Sequence, residues 1–316
     1  MSFNDKIAIC LATFNGEKYL SYQLDSLLRQ TYQNFVIFIG DDDSTDNTLD
    51  IIKHYTSRYP DKIVLLRNDK KYSSAQRNFM RIFEYVTKLS EFKYYMFCDQ
   101  DDVWHDSKIE KTYNKIKSVE KKHPKKPVLI HTDLRVVDAE LNVIGNSFWK
   151  YRNLNPERKS LNRLLIQNNV TGCTMMWNGE LSNIVLCGGS NMGMHDWWFA
   201  LCASAFGKID FIEEPLIDYR QHGNNVIGAT KVNSFKFIIK RLFGKTKVKE
   251  TFNISFKQAS DFLDTYKKQI NQKNKLLLIK YIDISKSNKI KKIYLIFKYK
   301  FLKQGFVQNV GVIIYI

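Results

Sequence analysis

The chain has 316 residues, with 49 Lys+Arg against 32 Asp+Glu and a formal net charge of +17. With 44% apolar and 14% aromatic residues it can bury a substantial core, which excludes wholesale disorder. Residues 230–316 hold 20 Lys+Arg and only 4 acids, a balance of +16, whereas residues 1–229 balance to +1, so the chain reads as bipartite.

In chain order, Lys6 to Ala12 is a short apolar run that reads as a buried strand, broken by Thr13-Phe14-Asn15-Gly16. Tyr19, Leu20, Leu24, Leu27 and Leu28 then recur at helical spacing. Phe35 to Ile39 predicts a second strand, ended by Gly40, and Ser44 or Thr45 is placed to cap a helix carrying Leu49, Ile51, Ile52 and Tyr55. Ile63 to Leu66 is a third strand, Phe79 to Val86 a helix, and Lys93 to Cys98 a fourth strand. This alternation predicts an α/β fold, a mainly parallel sheet with helices on both faces. After Pro127 the pattern loosens: strands are expected at 128–131 and 171–177, and helices at 161–167 and 196–205. Beyond Tyr219, the lysine-rich segments 234–243, 253–270, 272–284 and 288–303 carry apolar residues at spacings of three and four, which predicts a helical appendage.

The five cysteines are widely spaced, show no zinc-ligand pattern and lie mostly in apolar runs, so buried reduced thiols are expected. The start of the chain has no basic region ahead of a long apolar one, and no apolar run approaches the roughly 18–20 residues that span a bilayer. The expectation is therefore a cytoplasmic protein, unless it binds a membrane from the side.

The acids cluster at predicted strand ends. The second strand runs into Asp41-Asp42-Asp43, and the fourth into Asp99-Gln100-Asp101-Asp102. Clustered carboxylates repel and raise one another's pKa, a conflict that a hard divalent cation resolves. Ligands of open parallel sheets bind beyond the carboxyl ends of the strands. Two acidic loops after two strands of one sheet thus point to a metal–diphosphate site, although a single Asp-rich loop also serves as a cap or turn.

These segments carry a resemblance. Ile-Ala-Ile-Cys-Leu-Ala-Thr-Phe-Asn-Gly-Glu-Lys-Tyr-Leu (7–20) resembles the opening of the family-two glycosyltransferases, which have the GT-A fold. Gly-Asp-Asp-Asp-Ser-Thr-Asp-Asn-Thr (40–48) resembles their second signature. Phe-Cys-Asp-Gln-Asp-Asp-Val-Trp (97–104) is similar to the metal-binding D-x-D motif of rhamnosyltransferase-like members. The resemblance covers about residues 5–225 and implies a catalytic domain over 1–229 with a basic helical extension over 230–316. Thr13, Phe14, Asn15, Asp41, Asp42 and Arg77 are implied to bind the nucleotide, with Phe14 against the base, Asp42 bonded to it and Asp41 in support. Asp99 and Asp101 are implied to hold Mn²⁺ or Mg²⁺ with His222 nearby, and Asp196 to act as catalytic base. Asp102 is expected either to fix its loop or to touch the sugar. Trp197 and Trp198 read either as a sugar and acceptor platform or as helix packing, Asp196 alone as a helix cap, and His222 alone as a turn or core histidine.

Two departures stand out. The usual Asp-Asp-Gly-Ser is Asp-Asp-Asp-Ser here, so Asp43 must take the turn conformation. The Gln-x-x-Arg-Trp motif of processive synthases is absent, which favours one sugar per encounter. The implied activity is inverting transfer of a sugar, L-rhamnose among the options, from a nucleotide-diphospho-sugar to a polyprenyl-linked or surface-polysaccharide hydroxyl. A sugar-1-phosphate nucleotidylyltransferase is a rival, disfavoured by the lack of a Gly-rich phosphate loop. A non-catalytic basic adaptor is the other. For the extension, docking on an anionic membrane at the inner face of the cell membrane is weighed against a solvated lysine-rich cap. Nucleic acid is set aside because no recognised motif accompanies the charge.

Overall fold

The computed structural model describes residues 5–67, 74–186, 192–222 and 245–316, with backbone only for 245–248. The chain divides into two compact units. The first comprises residues 1–148, 171–183 and 210–228, and the second residues 149–170, 184–209 and 229–316.

The first unit is built on a nine-stranded sheet. Its opening half is the expected alternation: β1 (Ile7–Thr13), α1 (Leu20–Leu28), β2 (Phe35–Asp41), α2 (Thr48–Arg58), β3 (Ile63–Leu66), α3 (Ala75–Thr87) and β4 (Tyr94–Cys98). Every residue of β1, β2 and β4 is buried, as central parallel strands covered on both faces require. β1 pairs in parallel with β2 from Ile7↔Phe35 to Thr13↔Asp41, and with β4 from Ile7↔Tyr94 to Leu11↔Cys98. That register sets the carboxyl ends of all three strands side by side. The strand order β3-β2-β1-β4 reverses direction between β1 and β4, the switch point at which open α/β sheets form a ligand crevice.

The second half of the sheet is antiparallel where its pairings are defined. It comprises β5 (Val103–Trp104), β6 (Val128–Val137), β7 (Val143–Gly145), β8 (Met176–Asn178) and β9 (Lys208–Arg220). β8 lies between β4 and β6, antiparallel to both, and β5 pairs with β9 through Val103↔Asp218 and Trp104↔Ile217. Residues 172–174, expected within a strand, instead form a 3₁₀ turn that feeds β8. The core holds an aromatic cluster in which Trp177 meets Phe97 at 4.6 Å and Phe83 at 5.7 Å between ring centroids.

In the second unit, the helix His195–Phe206 is apolar almost all round, so it needs cover on every side. Trp198 and Phe206 pack against Phe262 and Tyr266 of the helix Lys245–Tyr266. Hence 195–206, grouped by sequence with the first 229 residues, belongs by packing with the helices that follow. Three more helices complete the chain: Gln272–Lys286, Lys289–Lys298 and Phe306–Tyr315. The expected helix at 234–243 lies outside the described residues. Cys10, Cys98, Cys173 and Cys202 are buried as expected, and Cys187 lies outside the described residues. Among the described residues, no helix is long and apolar enough to cross a membrane.

Candidate active site

Asp41 ties the ends of β1 and β2 together. It is buried, and its carboxylate accepts hydrogen bonds from Thr13 Oγ1 at 2.8 Å, Ser44 N at 2.9 Å and Ser44 Oγ at 2.6 Å. The following residues zip the two loops. Asn15 N donates to Ser44 Oγ, Thr45 N to Asn15 Oδ1, Gly16 N to Thr48 Oγ1 and Glu17 N to Asp46 Oδ2. Ser44 and Thr45 are therefore loop struts rather than helix caps. The residue at the N-cap of α2 is Asn47, and Asp46 ahead of it accepts from Thr48 N at 3.0 Å. Asp43 has φ 68°, so this aspartate does occupy the left-handed position where glycine was missing.

Phe14 stands exposed on this framework. Asp42 sits beside it in the second loop and accepts from Ser74 N, the residue ahead of α3, at 3.3 Å. Arg77 lies exposed in the first turn of α3. The β4 loop locks onto the β1 loop through Gln100, whose Oε1 accepts from Phe14 N and whose Nε2 donates to Phe14 O, both at 2.9 Å. Gly16 makes this approach possible, because a Cβ there would lie 2.3 Å from Gln100 Oε1.

Asp101 and His222, 121 residues apart in sequence, are brought together. His222 Nε2 lies 2.7 Å from Asp101 Oδ2, and its ring packs 4.9 Å from that of Tyr19. Arg220 holds this arrangement. Its Nε donates to Asp101 O at 2.9 Å, its N donates to Asp102 Oδ1 at 3.2 Å, and its guanidinium covers the Tyr19 ring at 4.5 Å.

Asp102 is fully buried. Burial, reinforced by the charges of Asp101 and Asp99, pushes its carboxyl well above the usual range. A group so enclosed fixes the loop by holding Arg220 N; of its two expected roles, contact with a sugar is ruled out by burial. Beneath it lies Lys108, also fully buried, with its Nζ 3.7 Å over the Trp104 ring. Burial lowers the Lys108 pKa to about 7.

Further along β9, Asp218 accepts a bidentate pair from Arg135, Nε at 2.6 Å and Nη2 at 2.7 Å, and lies 3.0 Å from His105 Nε2. Burial alone would raise the Asp218 pKa, but the hydrogen bonds from His105 and Arg135 outweigh it and hold the carboxyl low. This cluster pins β5, β6 and β9, and with them the loop that carries Asp101. Sequence reasoning missed Gln100, Lys108, Arg135, Asp218 and Arg220. For Arg220, its place two residues before His222 was the available signal. Nothing in the sequence marked Lys108 among the other lysines of α4 (Lys108–Lys122).

Asp196 lies in the second unit, half-buried in the first turn of the helix His195–Phe206. The capping residue is Met194, so Asp196 is not the cap. Trp198 is fully buried among Phe262 and Tyr266, which makes it a packing residue and removes it as a sugar platform. Trp197 is buried too, and its Nε1 donates to Leu164 O at 2.6 Å.

The donor set suits a hard divalent cation. Asp99 and Asp101, at the end of β4, could offer carboxylate oxygens, and His222, held against Asp101, an imidazole. Asp99 and Asp102 bring an oxygen each, and Cys173 its sulfur, within 4.8 Å of one another. Cys173 is buried, and burial, with the charges of Asp102 and Asp99, pushes its thiol well above the usual range.

A family model described as Glycosyl transferase family 2 matches residues 8–181. The dTDP-rhamnosyl transferase RfbG of Shigella flexneri is 30% identical over 242 residues, 73% of this chain and 78% of that one. A UDP-Glc:alpha-D-GlcNAc-diphosphoundecaprenol beta-1,3-glucosyltransferase of Escherichia coli, WfgD, is 24% identical over 168 residues, 53% of this chain and 57% of that one. Among solved structures, S. aureus TarS 1–349 in complex with UDP-GlcNAc aligns with a TM-score of 0.53 at 13% identity, covering 98% of this chain and 90% of that one. The mannosyltransferase PcManGT from Pyrobaculum calidifontis, in complex with GDP-Man and Mn²⁺, aligns at 0.51 and 12% identity, covering 95% and 81%. At such identities the structural likeness speaks to the fold.

Proposed function

The chain belongs to glycosyl transferase family 2 and has the GT-A fold of a glycosyltransferase, and on that premise we propose that it transfers a single sugar from a nucleoside-diphospho-sugar to a hydroxyl with inversion. Family membership sets aside the nucleotidylyltransferase and adaptor readings. The observation that carries the proposal is the convergence of Phe14, Asp42, Asp99 and Asp101 at the carboxyl ends of β1, β2 and β4. Phe14 stacks on the nucleobase while Asp42 bonds its edge, and Asp41 keeps both loops in place. Asp99, Asp101 and His222 would hold Mn²⁺ or Mg²⁺, which offsets the charge that develops on the leaving diphosphate.

Asp196 takes the proton from the acceptor hydroxyl, a contribution of about 10²–10⁴-fold. Its helix is held by the Trp197–Leu164 bond and by the packing of Trp198, so the two tryptophans position the base. The name of the Shigella relative and the Cys-Asp-Gln-Asp-Asp-Val-Trp sequence favour dTDP-L-rhamnose as donor. The diphosphoundecaprenol acceptor of the Escherichia relative favours a lipid-linked saccharide, with the basic residues 230–316 on an anionic membrane surface.

Incubation with dTDP-L-rhamnose or UDP-sugars, Mn²⁺ and a polyprenyl-diphosphate-linked acceptor tests the reading. The expected product has an inverted anomeric centre by NMR, and Asp196→Asn lowers kcat by about 10² or more while donor binding persists. A product with retained configuration, or full activity in Asp196→Asn, overturns it.

A further inference from the structure

The last two helices carry apolar side chains on their solvent side as well as their buried side. In an ordinary surface helix, polar residues face solvent and apolar ones face the core. In Lys289–Lys298, Leu295 and Ile296 are buried, yet the opposite side is also apolar. At 100° per residue, Ile290, Tyr294 and Phe297 fall within about 60° of one another on that opposite side. They are 83%, 55% and 53% exposed. The helix Phe306–Tyr315 repeats the pattern. Its polar Gln308 is buried with Gly311 and Val312, while Phe306, 84% exposed, and Ile314 point to solvent. Lys289 Nζ donates to Ile314 O at 2.9 Å and so ties the start of one helix to the end of the other.

The charge along this stretch of the chain has one sign. Residues 284–316 contain seven lysines and no Asp or Glu. Lys303 is buried, its Nζ 5.1 Å over the Phe252 ring. Lys291 and Lys298 border the exposed row of the first helix, and Lys298 Nζ donates to Tyr294 OH at 2.7 Å. Exposed aliphatic and aromatic side chains flanked by lysines, without an acid, match a surface whose interior is hydrocarbon and whose headgroups are anionic. A second copy of this face would bring like charges together, which disfavours self-association.

We propose that the faces Ile290/Tyr294/Phe297 and Phe306/Ile314 form a docking surface that enters the headgroup layer of an anionic bilayer. This deepens the membrane reading given above by assigning the contact to two named helices. It is independent of the donor site.

The test is flotation of the full chain with vesicles of phosphatidylglycerol and phosphatidylethanolamine, and with phosphatidylcholine alone, at low and high salt. Wild type is expected to float with the anionic vesicles at low salt. Ile290→Ser/Phe297→Ser is expected to lose about tenfold or more of that binding, and Lys291→Gln/Lys298→Gln to lose its salt-sensitive part. Both variants should keep the wild-type melting temperature and nucleoside-diphosphate binding, since the altered side chains face solvent. No binding by wild type overturns the membrane reading as a whole. Binding by wild type and Ile290→Ser/Phe297→Ser alike overturns this assignment while leaving that reading in place. A wild-type dimer that this variant turns into a monomer assigns the face to a second copy instead. Absence of nucleotide binding in all three proteins counts only against the donor site.

Discussion

Gly16→Ala isolates the clasp between the first and fourth strand loops. The substitution is conformationally permissible, because Gly16 does not occupy the left-handed region. Its cost is steric. The new Cβ would lie 2.3 Å from Gln100 Oε1 and 2.7 Å from Gln100 Cδ, well inside ordinary contact. The amide is the far end of a flexible side chain, so Gln100 swings out rather than the backbone moving. What is lost is the pair of 2.9 Å bonds to Phe14 N and O. At about 0.5–1.5 kcal/mol each, with water able to replace them at this exposed position, the loss is about 1–2 kcal/mol. Gln100→Ala removes the same bonds without the clash and should cost a similar amount. The double variant should then be no worse than either single one, a coupling of about 1–2 kcal/mol. Urea unfolding gives the stabilities. Calorimetric titration with nucleoside diphosphates should show weaker binding in all three variants, because the loop that carries Phe14 is no longer held. Additive single effects, or a Gln100→Ala variant identical to wild type in stability and binding, would refute the clasp.

Two further predictions concern buried charge. Lys108 has its pKa lowered to about 7, so between that value and the ordinary lysine value near about 10.4 the unfolded chain binds a proton that the folded chain does not. Its contribution to stability therefore rises with pH across that window. Lys108→Met fills the space without an ammonium, so its stability gain over wild type should be largest below about pH 7 and shrink toward about pH 10, as urea midpoints will show. Asp218→Asn removes a carboxylate held low by His105 and Arg135, and should cost about 2 kcal/mol near neutral pH. Because the folded pKa is depressed, that stability is present above the ordinary Asp value near about 3.9 and lost as pH falls below it. The stability gap between variant and wild type should accordingly close in acid, and an unchanging gap would rule out the ionised pair as its source.

The parallel half of the sheet was legible because β1, β2 and β4 are built on continuous apolar runs, a pattern set by burial on both faces, although β2 runs on through Gly40 to Asp41 rather than stopping at Gly40. The left-handed turn at Asp43 was legible for a similar local reason. The antiparallel half was not. β5 has two residues and β7 three, too few to show a period. The groups that brace the site come from far apart in sequence, as with Arg135 and Asp218 or Asp101 and His222, and no local pattern records such pairings. Nor did periodicity distinguish the two faces of the helix Lys289–Lys298: an apolar spacing of three and four shows that a face is apolar, not whether it is covered.

The central claim is that the loops after β1, β2 and β4 form a cation-dependent nucleoside-diphosphate site. The most direct measurement is calorimetric titration of wild type and Asp101→Ala with dTDP, UDP and GDP, with Mn²⁺ and with chelator. One nucleotide should bind wild type with Mn²⁺, bind far more weakly with chelator, and lose most of its Mn²⁺-dependent affinity in Asp101→Ala. Failure of all three nucleotides to bind wild type with Mn²⁺, or binding indifferent to both chelator and Asp101→Ala, would contradict it.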